Sequence, residues 1–113
     1  MIEKAKLPVQ VFPEQKGTRH AGFGFPILLK ENADISRAEL CSFLEDKNIQ
    51  TRPISGANLT IQPAFQKIEN AEVWGELPVA DNVQKRGLFV GQSHGFSVEH
   101  GQLLLEALEE AFR

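Results

Sequence analysis

The chain is poor in several things that would otherwise assign it a class. It has one cysteine in 113 residues, so no internal disulfide can form and stability must come from packing. No apolar run approaches the roughly 18 residues needed to span a bilayer, and the N-terminal MIEKAKLPVQVF has too short an apolar core for a signal peptide. A membrane partner is therefore not expected, and the chain reads as cytoplasmic. Basic residues are in deficit, 12 against 15 acidic for a formal charge of −3. No electropositive field is available to hold a phosphate polymer, which argues against nucleic acid. There is no low-complexity tract and no internal repeat.

The apolar content, 42%, suffices for one domain that buries about 60–70% of its unfolded surface. Residues 1–21 form an arm that mixes Pro8, Pro13 and Gly17 with charge. Up to residue 22 it carries Lys4, Lys6, Lys16 and Arg19 against Glu3 and Glu14, with a short strand expected at Val9–Phe12. Residues 22–113 read as a single domain. In FGFPILLK, Phe23–Lys30, a continuous apolar run predicts a core strand, and Pro26 predicts an edge or an unpaired position within it. Ser36 and Glu39 fit a capping box ahead of a helix from Arg37 to Lys47, whose stripe is Leu40, Cys41, Phe43 and Leu44. Arg37, Glu45 and Asp46 are free to face water, and Cys41 reads as a buried, inert thiol.

A short strand follows at Ile49–Ile54, then a helix within LPVADNVQKRG with Gly87 as a left-handed cap residue, then a strand Leu88–Gly91. Ser97 can cap the last helix, in which Leu104, Leu105, Leu108, Ala111 and Phe112 oppose Glu99, Glu106, Glu109 and Glu110. The order β–α–β–loop–α–β–α predicts an α+β, two-layer sandwich: a sheet of three or four strands with helices on one face. The other face then needs a cover.

Taken together, GFGFPILLK, ISRAELCSFLEDKNIQTRP, GANLTIQPAF, ELPVADNVQKRGLFVG and the closing helix resemble the C-terminal small domain of DegT-type, fold-type-I PLP-dependent enzymes acting on nucleotide-linked sugars, above all the 4-keto-6-deoxyhexose 3-dehydrases. The likeness runs over about residues 22–112. It implies a small sheet with helices outside, packed on a large domain that binds the cofactor and helping to close the site over a sugar nucleotide. It also implies that Thr51-Arg52-Pro53 and Ser55-Gly56-Ala57-Asn58 lie nearest that substrate. Arg52, Ser55, Asn58 and Gln62 are the resulting candidate ligand-binding residues, with Arg52 as the electrostatic contact. Two positions depart from the family: Thr60-Ile61 precede Gln62-Pro63 where an arginine is common, and His94-Gly95-Phe96 replaces an aromatic-proline-glycine approach to the last helix.

No catalytic residue is expected in the chain itself. In the family the Schiff-base lysine, or the histidine that replaces it in the 3-dehydrases, lies in the large domain with the phosphate cradle, so PLP belongs to the full-length relatives and no cofactor is expected here. The residues alone leave alternatives open. Arg52 is either a bidentate fork for a carboxylate or diphosphate, or a strand-end arginine paired locally. Asn58 is either a ligand contact or a turn residue, and Trp74 either anchors its loop or meets a partner. His20, His94 and His100 have no metal-ligand spacing, and Ser93-His94 lacks a third group. The expected role is a non-catalytic, self-associating homodimer formed through the exposed sheet face. The alternatives are a binding module for a nucleotide sugar or partner enzyme, and a half enzyme completed by a separate large domain.

Overall fold

A computed structural model describes residues 2–113. Its regular elements are β1 (Val9–Val11), β2 (Gly24–Leu29), α1 (Arg37–Asp46), β3 (Thr51–Pro53), α2 (Pro63–Gln66), α3 (Pro78–Arg86), β4 (Gly87–Gly91) and α4 (Val98–Ala111), with 3-10 turns at Ile2–Ala5 and Leu59–Ile61. The α+β expectation holds: one four-stranded sheet in the order β1-β2-β4-β3, every neighbouring pair antiparallel.

Strand alternation sorts the two faces. Val9, Ile27, Leu29, Leu88 and Val90 point to one side, where α1 and α4 lay Leu40, Leu44, Leu104 and Leu108 on them. Ile27, Leu40, Leu44, Leu88 and Leu108 are wholly shielded, each contributing about 1.5–3 kcal/mol of burial. Cys41 stands half-buried at the rim of this core. The alternate residues Gln10, Pro26, Leu28, Gly87, Phe89 and Arg52 share the reverse side, by the registers Gln10↔Leu28, Pro26↔Phe89, Leu28↔Gly87 and Arg52↔Phe89. α3 packs against β2 and β4, with Val83 over Gly87 on that reverse side, where Leu28 is also buried.

Local chemistry explains the element boundaries. The Ser36 N–H donates to Glu39 Oε2 at 2.7 Å and the Glu39 N–H to Ser36 Oγ at 3.2 Å, closing the capping box that starts α1. The helix ends where Asn48 takes φ +61. Asn48 N–H then bonds Glu45 O and Ile49 N–H bonds Leu44 O, the paired bonds of a Schellman turn. Pro26 is tolerated because of register. Lys30 N–H donates to Pro8 O, so even-numbered residues of β2 point their backbone toward β1, and β1 pairing ends at Val11↔Ile27. The missing N–H of Pro26 thus faces a flank where no ladder bond is needed.

Two details differ from the sequence expectation. Gly87 is extended, φ −86 and ψ 137, not left-handed. It is glycine for want of space, since a Cβ there would lie 2.6 Å from Val83 O and 2.8 Å from Ile54 Cδ1. Arg37 does not face water: its guanidinium donates to Gln84 O at 2.8 Å, clamping the last turn of α3 to α1. In α4 the capping box uses His100 in the place of a glutamate, its Nδ1 accepting the Ser97 N–H at 3.0 Å.

Candidate functional site

The segment from Ile54 to Val79 leaves β3, makes two short helical turns and re-enters the fold as α3. Asn58 is its anchor. The residue is 3% exposed, and every polar group it has is used: its N–H donates to Gln84 Oε1 at 3.2 Å, Nδ2 donates to Asp81 Oδ1, and Oδ1 accepts from the Thr60 N–H at 3.0 Å and the Thr60 hydroxyl at 2.6 Å. Gln62 Nε2 closes the ring of contacts on Asn58 O at 3.5 Å. Asp81 and Gln84 are i and i+3 on α3 and so lie on one helix face. A buried, fully bonded amide of this kind fixes a loop. Its backbone is extended, φ −123, and it caps the 3-10 turn Leu59–Ile61; it is not a left-handed turn residue.

The four candidate residues therefore divide. Asn58 and Gln62 are brought together, and their polar atoms face each other and α3. Ser55 is exposed in the turn beside Gly56, which takes φ +64. Arg52 projects from β3 on the reverse side of the sheet next to Phe89, and forms no hydrogen bond or ion pair with any described residue. A polar notch of about 360 Å³ beside it is lined by Glu45, Asn48, Gln50, Thr51 and Arg52, and includes none of the other three. The Thr60 hydroxyl and N–H are both spent on Asn58. Sequence reading missed Asp81 and Gln84, whose partner Asn58 lies 23 and 26 residues away in sequence.

Other functional readings find little here. All seven lysines are exposed, as are His20, His94 and His100. The residues present do not fit a PLP site, which needs a desolvated amine or imidazole against the cofactor. Ser93 Oγ accepts the Gly95 N–H at 3.3 Å, and no hydrogen bond joins it to His94. Among the described residues no group of three or more His, Cys, Asp or Glu is gathered for a metal, and no helix is long and apolar enough to cross a membrane. Trp74 is 88% exposed. It does not anchor its loop to the domain.

Comparison with known proteins covers nearly the whole chain. The sequence pattern of the DegT/DnrJ/EryC1/StrS aminotransferase family matches residues 3–109. The lipopolysaccharide biosynthesis protein RfbH of Salmonella typhimurium is 37% identical over 90 residues, 80% of this chain and 20% of that protein. GDP-4-keto-6-deoxy-D-mannose 3-dehydratase of Yersinia pseudotuberculosis is 36% identical over 78 residues, 69% of this chain and 20% of that one. Among solved structures, a GDP-4-keto-6-deoxymannose-3-dehydratase with bound GDP-perosamine superposes with TM-score 0.81 at 25% identity, over 95% of this chain and 27% of that one. The chain thus spans about a fifth of the length of the curated relatives it matches.

Proposed function

Because the chain belongs to the DegT/DnrJ/EryC1/StrS aminotransferase family, we propose that it acts as a non-catalytic small-domain module of the sugar-nucleotide aminotransferase and dehydrase type, one that works by self-association. Surplus surface carries this reading. The chain exposes 8597 Å², about 2,400 Å² above the roughly 6,200 Å² that size scaling gives a folded monomer of 12.6 kDa. Its radius of gyration, 15.9 Å, likewise exceeds the roughly 13 Å of a compact domain this long. A surplus of that order is what a large interface removes. The reverse side of the sheet supplies part of it, where Phe23 stacks edge-on against Phe89 at 5.4 Å beside Pro26 while remaining exposed. The exposure of all seven lysines supports a module without PLP chemistry of its own. Size-exclusion chromatography with light scattering tests the proposal: a dimer at micromolar concentration is expected, and a monomer throughout would overturn it.

One observation favours a second reading, retained affinity for a nucleotide sugar. Arg52 alone of the four candidates keeps its charged head free of the protein, and a planar guanidinium suits a diphosphate. Calorimetry with a GDP-sugar and a CDP-sugar should then give binding heat that Arg52→Ala abolishes. No heat from either removes the idea. A separate PLP-binding large domain, supplied in trans, would make the same module half of an enzyme; cofactor absorbance that appears only on co-expression with such a partner is its signature.

A further inference from the structure

We propose that the apolar groove beside α4 is the docking site for an amphipathic helix of a different protein, apolar on its inner face and carrying lysine or arginine along its flanks. The groove follows α4 from Ser97 to Glu110, about 20 Å at 1.5 Å per residue, and encloses about 1040 Å³. Phe25 and Val90 of the sheet form its floor, Leu103 and Leu104 one wall, and Ile2 and Phe12 of the N-terminal arm the other. Along α4, the groove residues Ser97, Gly101 and Leu104 follow the i, i+4, i+7 row against which a neighbouring helix packs. Phe12, Phe96 and Leu103 stay exposed there, and a helix laid over them would bury them. It would extend the layer that α1 and α4 form on this side of the sheet.

Charge decides which helix fits. The side chains on the groove that are charged at neutral pH are Glu3, Lys47, Glu106 and Glu110. Lys47 is already bound to Glu110 at 2.8 Å. That leaves Glu3 on the arm wall and Glu106 on the α4 wall, both exposed and in no ion pair with a described residue. α4 adds Glu99 and Glu109 and contains no lysine or arginine. An apolar floor between carboxylates on both walls complements an apolar face flanked by cations, and repels one flanked by acids. The same rule disfavours a second copy of this chain. Its α1 carries Arg37 against Glu39, Glu45 and Asp46, its α4 is acidic throughout, and its Trp74 loop holds Glu69, Glu72 and Glu76 without a cation. α3, with Lys85 and Arg86, is engaged against β2 and β4. The groove is therefore a surface separate from the self-association read above.

The probe is a synthetic peptide of about 18 residues, long enough to form a helix in water, with leucine on one face and lysine on the other. Its control carries glutamate in place of lysine. By fluorescence anisotropy with the full chain at physiological salt, the lysine peptide should bind saturably and about tenfold or more tighter than the control. Glu3→Lys/Glu106→Lys should weaken it by about tenfold or more, and Leu103→Ser should weaken it too, both with unchanged circular dichroism. Glu72→Lys/Glu76→Lys makes the same change in net charge away from the groove and should leave binding as it was. Equal affinity for the two peptides would show contact without charge selection and overturn the proposal. Equal loss in the two charge-reversal variants would reduce it to attraction by net charge and overturn it as well. Light scattering closes the test: a dimer unmoved by the peptide supports a separate surface, and a dimer that the peptide dissociates puts a second copy in the groove and overturns the choice of partner.

Discussion

Two parts of this molecule are held by opposite means. Beneath α1 and α4, five apolar side chains are shielded completely and packing dominates, with Thr51 Oγ1, donating to Glu45 Oε1 at 2.7 Å, as the one buried polar side chain on that side among the described residues. In the segment from Ile54 to Val79 the reverse holds: Leu59, Ile61, Ile68, Val73, Trp74 and Val79 are exposed, and one buried asparagine with Asp81, Gln84, Thr60 and Gln62 ties the segment down. Apolar packing is non-directional and tolerates small shifts; a polar ring is directional and fails when one member is lost. The first part should behave as the domain's foundation. The second should behave as a loop set at a fixed height, its apolar groups free for another surface.

The largest effect should come from the core. Leu44→Ala leaves a void under the sheet and should lower global stability by about 2–5 kcal/mol, seen as a reduced denaturation midpoint at unchanged slope. The polar ring should give a different result. Asn58→Ala strands Asp81 and the backbone it bridged, at a cost of about 1–3 kcal/mol. Hydrogen exchange should rise in residues 55–66 while the amides of β2 and β4 stay protected, because the segment can open alone. Equal loss of protection in both parts would show that they are one cooperative unit.

The seam between the two parts is narrower and should answer to a smaller change. Gly87→Ala drives a methyl against Val83 O and Ile54 Cδ1, where α3 turns directly into β4. A destabilisation of about 1–3 kcal/mol is expected. Ile54→Val in the same chain should relieve some of it, whereas a backbone origin at Gly87 would leave the double variant no better. The glycine's φ is ordinary, which points to space.

How much of this was legible in the sequence follows the same division. The apolar-held part was read well: Leu40, Leu44, Leu88, Leu104 and Leu108 follow helix or strand periodicity, and Ser36-x-x-Glu39 announces its helix. Pro26 was expected at an edge or an unpaired position, but it lies in the inner strand β2 in register with Phe89 of β4, and only its missing N–H faces the flank beyond the end of β1. The polar-held part was not legible, because Asn58 meets Asp81 and Gln84 across more than twenty residues and no periodic signal marks such a pairing. Arg37 escaped for the same reason, since its partner is a backbone carbonyl 47 residues away. Gly87 was read as a turn because sequence shows that a side chain is absent and not what would have struck it. The short strand expected at Val9–Phe12 is β1, with Val9 buried opposite Leu29.

The smallest expected effect tests whether the foundation has any polar dependence at all. The Ser36 N–H, and next its hydroxyl, hold the Glu39 carboxyl below its ordinary value of 4.5. The folded-state pKa is lowered, so this contribution is present above the unfolded value and is lost as pH falls through the folded one. The capping box should therefore weaken only in acid, and Glu39→Gln should remove the acid dependence while keeping a bond to the Ser36 N–H. Ser36→Ala, which loses the other half of the box, should cost about 1 kcal/mol at neutral pH. If Glu39→Gln left the acid limb of the stability curve unchanged, the capping box would not be its source and the apolar-held part would show no polar dependence of this kind.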